Sequence, residues 1–140
     1  MADARIAPGS EMLVVQDLHK VYAGAGGGTE AIRNLTFDVK AGELVCIVGP
    51  SGAGKTTLLR SIAGLLPPTS GTVKLEGKVV NVPPKGMAVV FQEYARSLFP
   101  WLTVRGNIEL PLKEKGMPKA ERDKLVDEAI EAVGLADSPH

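Results

Sequence analysis

The sequence predicts an α/β fold built around a phosphate-binding loop, and three observations carry that prediction. Gly49, Pro50, Ser51, Gly52, Ala53, Gly54, Lys55 and Thr56 read as G-x-x-x-x-G-K-[ST]. Just before them, residues 44–48 form a short apolar run, the pattern of a strand buried on both faces. Just after them, residues 57–63 read as a helix with Leu58, Leu59, Ile62 and Ala63 on one side. Strand, loop and helix in that order are the context the motif requires.

Composition agrees with this class. The chain has 140 residues, enough for one domain with a real core. Hydrophobic residues make up 44% and aromatic residues 4%, which suits an aliphatic α/β core better than an aromatic β-sandwich. Basic and acidic residues balance at 16 each, so no global charge grips nucleic acid or anionic lipid, and no nucleic-acid partner is expected. The single cysteine, Cys46, excludes an internal disulfide and a cysteine-ligated zinc site, and its place in the 44–48 run predicts a small buried hydrophobe. No apolar stretch approaches the length of a membrane span, and residues 1–11 lack the apolar centre of a signal peptide. A cytoplasmic protein follows as the default expectation.

Taken in order, residues 1–11 read as a loose tail. Residues 12–21 and 31–39 carry strand-like patterning, with the glycine-rich turn 23–29 between them. After the loop and its helix, Leu65, Leu66, Pro67, Pro68, Thr69, Ser70 and Gly71 form a helix stop and turn. Short strands are expected around 72–75 and 78–80, and a second buried strand over residues 87–91. Residues 103–113 read as a helix that Pro111 should kink or end. The clearest helix is 118–133, with Pro118 at its first position and an apolar stripe of Leu125, Val126, Ala129, Ile130 and Val133. Gly134 suits the left-handed cap, with Leu135 folding back on Ile130. Asp137, Ser138, Pro139 and His140 read as a loop.

Each position of the phosphate loop has a physical task. The glycines let backbone N–H groups converge on an anion without a clashing Cβ, and the helix N-terminus adds partial positive charge. The Lys55 ammonium suits the β- and γ-phosphates, and the Thr56 hydroxyl suits a magnesium ion bridging them. Thr57 can add a further phosphate contact. Nucleoside triphosphate binding is therefore the expectation. Read from the residues alone, the alternative is a glycine-rich strand-to-helix turn with an incidental lysine.

The chain also resembles the ATP-binding cassette ATPases that drive ABC transporters, from about Met12 to His140. The resemblance rests on Gly49 to Leu59 and on Val89, Val90, Phe91, Gln92 and Glu93, which look like that family's phosphate loop and glutamine loop. The turn at residues 65–71 is also similar. The fold implied is a P-loop NTPase core with N-terminal antiparallel strands, reaching to about residue 92, followed by the start of a helical subdomain over 93–140, and incomplete.

The resemblance further implies ATP and Mg2+ as cofactors, with Gln92 approaching the magnesium ion and the attacking water and Tyr22 stacking on adenine. Read from the residues alone, Gln92 is a polar residue at a strand end and Tyr22 a half-buried tyrosine. The segment Leu98, Phe99, Pro100, Trp101, Leu102, Thr103 and Val104 corresponds to a region that faces the membrane permease. A core element of the helical subdomain is its other reading. Its wording is similar to importers of nitrate, sulfonate and taurine type. Partners implied are a permease subunit and a second ATPase protomer. The implied location is the inner face of the cell membrane, held peripherally through the permease.

Departures from the family are equally specific. A Leu-Ser-Gly-Gly-Gln-type signature, an apolar strand ending in Asp and catalytic Glu, and a switch histidine are not found in these residues. His19 precedes the loop and reads as a surface strand residue, and His140 carries no positional information. The expectation is a transport ATPase subunit truncated before these motifs. A nucleotide-binding module without turnover is the competing class, and a small-molecule kinase is disfavoured because a strand pair precedes the loop. If no neighbouring strands are present, the runs 44–48 and 87–91 are left with unpaired edges.

Overall fold

The computed structural model describes residues 9–24, 27–92 and 97–136. Expectations for the tail 1–8, for Ala25 and Gly26 of the glycine turn, for Glu93 and for the terminal loop with His140 lie outside the described residues. The chain divides into two compact units, Met1–Val89 and Val90–His140.

In the first unit, β1 (Glu11–Tyr22) and β2 (Thr29–Lys40) form a long antiparallel hairpin. Two further strands, β3 (Ser70–Leu75) and β4 (Lys78–Val79), extend the sheet, whose order is β2-β1-β3-β4 with every pairing antiparallel. Leu13 and Val15 alternate inward as period 2 requires, and the pattern then breaks. Asp17, with φ 49, sits at a register shift between Val15 and Leu18, and Asn34 of β2, with φ 44, at the next shift, between Leu18 and Lys20. The first shift re-aims the strand so that Leu18 is buried rather than Asp17. Thr36 Oγ1 accepts the Asp17 N–H at 2.8 Å and pins it. Gly71, with φ 82, passes directly over the Asp17 carbonyl, where a Cβ could not fit.

The core of this unit joins Leu13, Val15 and Leu18 of β1, Ile32 of β2, Val73 of β3 and Val80 to Leu58 of α1 (Lys55–Ile62). Val15 and Leu18 are fully buried, and each contributes about 2 kcal/mol of apolar transfer.

Two expected strands are not formed. Residues 44–48 and 87–91 carry no strand pairing, and Leu44 (97% exposed), Val48 (84%) and Val90 (90%) stand in solvent. Cys46 is exposed too, correcting the expectation of a buried hydrophobe. The physical reason is that an apolar run specifies burial but not a partner. Parallel strands are covered by neighbours far apart in sequence, and among the described residues no segment pairs with either run.

The second unit is a helical hairpin, α2 (Val104–Glu114) and α3 (Lys119–Ala132), with Val126 and Ile130 buried. Thr103 caps α2 by accepting the Gly106 N–H at 3.1 Å. Pro111 does not break α2, which runs on to Glu114. Arg122 joins the two helices, donating to Glu109 Oε1 at 3.2 Å and to the Met117 carbonyl at 2.8 Å. Pro118 caps α3 rather than opening it. At the other end Gly134 has φ 72, its N–H donates to the Glu131 carbonyl, and the Leu135 N–H donates to the Ile130 carbonyl at 3.1 Å, the left-handed cap expected there.

Candidate functional site

The motif residues Gly49 to Thr56 form a loop that turns into α1, two residues earlier than the periodicity predicts. Gly52 and Gly54 have φ 82 and 85, while Ala53 between them keeps an ordinary φ. Alternation of this kind turns successive N–H groups toward one side and makes an anion-binding concavity. Gly54 has a second constraint. A Cβ there would fall on the Ala31 carbonyl oxygen of β2, so the loop rests on the sheet through a glycine-sized contact.

The start of α1 is electrostatically open. Gly54 offers no side-chain cap, and no acidic residue lies in the first turn. Four N–H groups at a helix start have no intrahelical partner, and they carry the positive end of the helix dipole. Helix α2 satisfies one of its own with Thr103, whereas Gly54, at the start of α1, has no side chain to do the same. The Leu58 N–H, at the end of this turn, is bonded to the Gly54 carbonyl at 2.8 Å.

Lys55 folds back over the loop. Its ammonium donates to the Gly49 and Pro50 carbonyls, both at 2.6 Å. These are exchangeable partners, and phosphate oxygens are better acceptors for an ammonium than neutral carbonyls. Ser51 and Thr56 are exposed at the loop surface.

Two predicted site residues meet. The Tyr22 hydroxyl lies 3.2 Å from Thr57 Oγ1, joining the end of β1 to the first turn of α1. Thr57 is thus already engaged by Tyr22, a link that no periodicity in the sequence signals. Tyr22 is 39% exposed. On the β2 side of the loop a groove of about 280 Å3 is lined by Ala31, Ile32 and Leu35 of β2, by Ile47 and Val48, and by Gly54 and Leu58. Arg33, which also lines it, is paired with Glu30, whose carboxyl is held below its ordinary value by that hydrogen bond and further by His19 at 3.1 Å.

Gln92 belongs to the second unit, where it is exposed in a bend after Phe91. In the segment after it, Phe99 and Trp101 pack ring on ring at 5.2 Å, and Asn107 brackets the Phe99 backbone, accepting its N–H at 2.8 Å and donating to its carbonyl at 3.1 Å. Leu98, Phe99, Trp101 and Val104 are all exposed. Among the described residues no group of three acidic, histidine or cysteine side chains could hold a metal, and no helix is long and apolar enough to cross a membrane.

Comparison with known proteins is consistent across sequence and structure. A family model described as ABC transporter matches residues 32–140. The nitrate import ATP-binding protein NrtD of Synechocystis sp. is 46% identical over 123 residues, covering 88% of this chain and 46% of that protein. The taurine import ATP-binding protein TauB of Roseobacter denitrificans is 45% identical over 112 residues, covering 80% of this chain and 41% of that protein. The chain therefore spans somewhat under half the length of these relatives. Among solved structures, the ATP-binding cassette MJ0796, a dimer bound to ADP and Pi, superposes with a TM-score of 0.76 at 33% identity, over 86% of this chain and 56% of that one. With its motif loop, its antiparallel strands and these matches, the chain belongs to the ABC transporter family as part of an ATP-binding domain with the P-loop NTPase fold.

Proposed function

We propose that the loop from Gly49 to Thr57 binds the phosphates of ATP, and that the chain is the ATP-binding portion of an ABC transporter ATPase that couples ATP binding and hydrolysis to solute import. The observation that carries this reading is the start of α1, which has no side-chain cap and no acid in its first turn, beneath two left-handed glycines. Such a helix start favours an anion over water. Lys55 would exchange the Gly49 and Pro50 carbonyls for the β- and γ-phosphates. Tyr22 would stack on adenine.

With no carboxylate cluster among the described residues, a magnesium ion would be held by the phosphates themselves and by the Thr56 hydroxyl, as a hard cation that keeps several waters. It would supply charge neutralisation at the terminal phosphates. The family resemblance assigns Gln92 to the magnesium ion and the attacking water.

The names of the relatives support an importer of nitrate or taurine type. On this reading the exposed Leu98 to Val104 segment meets a membrane permease subunit, and a second ATPase protomer completes the site. The protein would lie on the cytoplasmic, inner face of the cell membrane, attached peripherally through the permease.

Calorimetric titration with ATP tests the binding step. Lys55→Ala should weaken affinity tenfold or more, about 1.4 kcal/mol, as loss of a charge-assisted contact does. Unchanged affinity would remove the assignment.

A further inference from the structure

The end of β1 holds a second cation whose position the phosphate loop does not explain. Lys20 and Tyr22 are two residues apart on one strand. Lys20 Nζ lies 5.6 Å from the centre of the Tyr22 ring, within cation–π range. It also donates to the Pro67 carbonyl at 2.7 Å, in the turn that follows α1. That turn is itself bound to β1. The Thr69 N–H donates to the His19 carbonyl at 2.9 Å, and Thr69 Oγ1 accepts the Val21 N–H at 3.0 Å. The ammonium is therefore anchored at one end to the 67–69 turn and set against the Tyr22 ring at the other. Lys20 is half-buried, so its stem is restrained as well.

Tyr22 needs such support. It is the last residue of β1, and glycines follow it before β2 begins. Its hydroxyl bond to Thr57 Oγ1 fixes the tip of the ring but leaves rotation about the long axis of the phenol. A cation against the ring restricts that rotation. We propose that Lys20 is a positioning residue: it sets the plane of the Tyr22 ring and, through it, the affinity for a planar base, without touching the nucleotide. This inference rests on the nucleotide reading of the loop above.

The obvious competitor is that Lys20 acts as one more positive charge for the phosphates. The two differ in what they require of the ligand. A positioning role needs the base, whereas a charge role needs only the phosphates. Calorimetric titration of the protein with ATP and with inorganic tripolyphosphate separates them. Lys20→Met should weaken ATP by about three- to fivefold, the range of a partly exposed cation–π contact, and leave tripolyphosphate unchanged. Lys20→Arg, which keeps a donor for Pro67 and a cation for the ring, should restore ATP affinity. In a Tyr22→Ala background Lys20→Met should add nothing, because the residue it positions is gone.

Equal weakening of both ligands, no change with ATP, or full additivity with Tyr22→Ala would each overturn the inference. Failure of the phosphate reading looks different: the unaltered protein would then bind neither ATP nor tripolyphosphate, and the role of Lys20 would fall with it.

Discussion

Gly54 and Gly52 make a matched pair whose alanine variants separate two costs. Both have left-handed φ, 85 and 82, and an alanine forced to keep that conformation costs about 1–2 kcal/mol at either position. Their surroundings differ. Nothing lies within 4 Å of a Cβ at Gly52. At Gly54 the Cβ would fall on the Ala31 carbonyl oxygen, with the carbonyl carbon at 3.3 Å and Ile32 Cγ1 at 3.6 Å. The obstacle is backbone in the middle of β2, which pairs with β1 on either side of Ala31, so it cannot swing aside as a flexible side chain would. Displacing packed backbone adds about 1–3 kcal/mol, which brings Gly54→Ala to about 2–5 kcal/mol. The Leu58 amide, bonded to the Gly54 carbonyl at 2.8 Å, reports this locally through its hydrogen-exchange protection. Gly54→Ala should lower that protection between about fivefold and a hundredfold more than Gly52→Ala does. Equal losses in the two variants would mean that the loop does not rest on β2 in solution, and the geometry of the site would need revision.

Three further outcomes follow from the same geometry. Tyr22→Ala should weaken ATP binding by more than Tyr22→Phe in a calorimetric titration, because stacking on a base is worth about 1–3 kcal/mol and Phe forgoes only the exposed hydroxyl bond to Thr57; equal losses would show that stacking is the wrong account. The chain by itself should release no phosphate from ATP above background, since among the described residues the candidates for transition-state contacts are the loop, Lys55, Thr56 and Gln92; turnover abolished by Lys55→Ala would contradict this. The carboxyl of Glu109 is held below its ordinary value of 4.5, first by its hydrogen bond to Lys113 and then by Arg122, so its contribution to the α2–α3 hairpin is present above pH 4.5 and lost as pH falls through the depressed folded value. Helical circular dichroism should therefore fade below that pH in the parent and less so in Glu109→Gln; identical acid profiles would deny the ion pair a role.

Local signals in the sequence were enough for much of the fold. The period-2 pattern of β1 and β2, the motif loop and the Gly134 cap each depend on residues within a few positions of one another, and each is found in the structure. What depends on distant partners was not legible. Residues 44–48 and 87–91 read as buried strands because their side chains are apolar, yet a strand exists only with a neighbour to share its hydrogen bonds. Asp17 and Asn34 in left-handed backbone mark two register shifts that no alternation predicts, although Asn and Asp are the residues that tolerate it best. At the site, the motif marked the phosphate cradle, but the meeting of Tyr22 with Thr57 and of Lys20 with Pro67 spans 35 and 47 residues and needed the folded chain to appear.

The central claim is that the uncapped start of α1 and the glycine loop before it receive the phosphates of ATP. Backbone amide chemical shifts recorded during an ATP titration test it directly, because the N–H groups themselves are the proposed ligands. The account predicts that the largest changes fall on residues 52–57, with a smaller set at Tyr22 where the base stacks. Changes concentrated away from these residues, or identical changes in a Lys55→Ala variant, would contradict it.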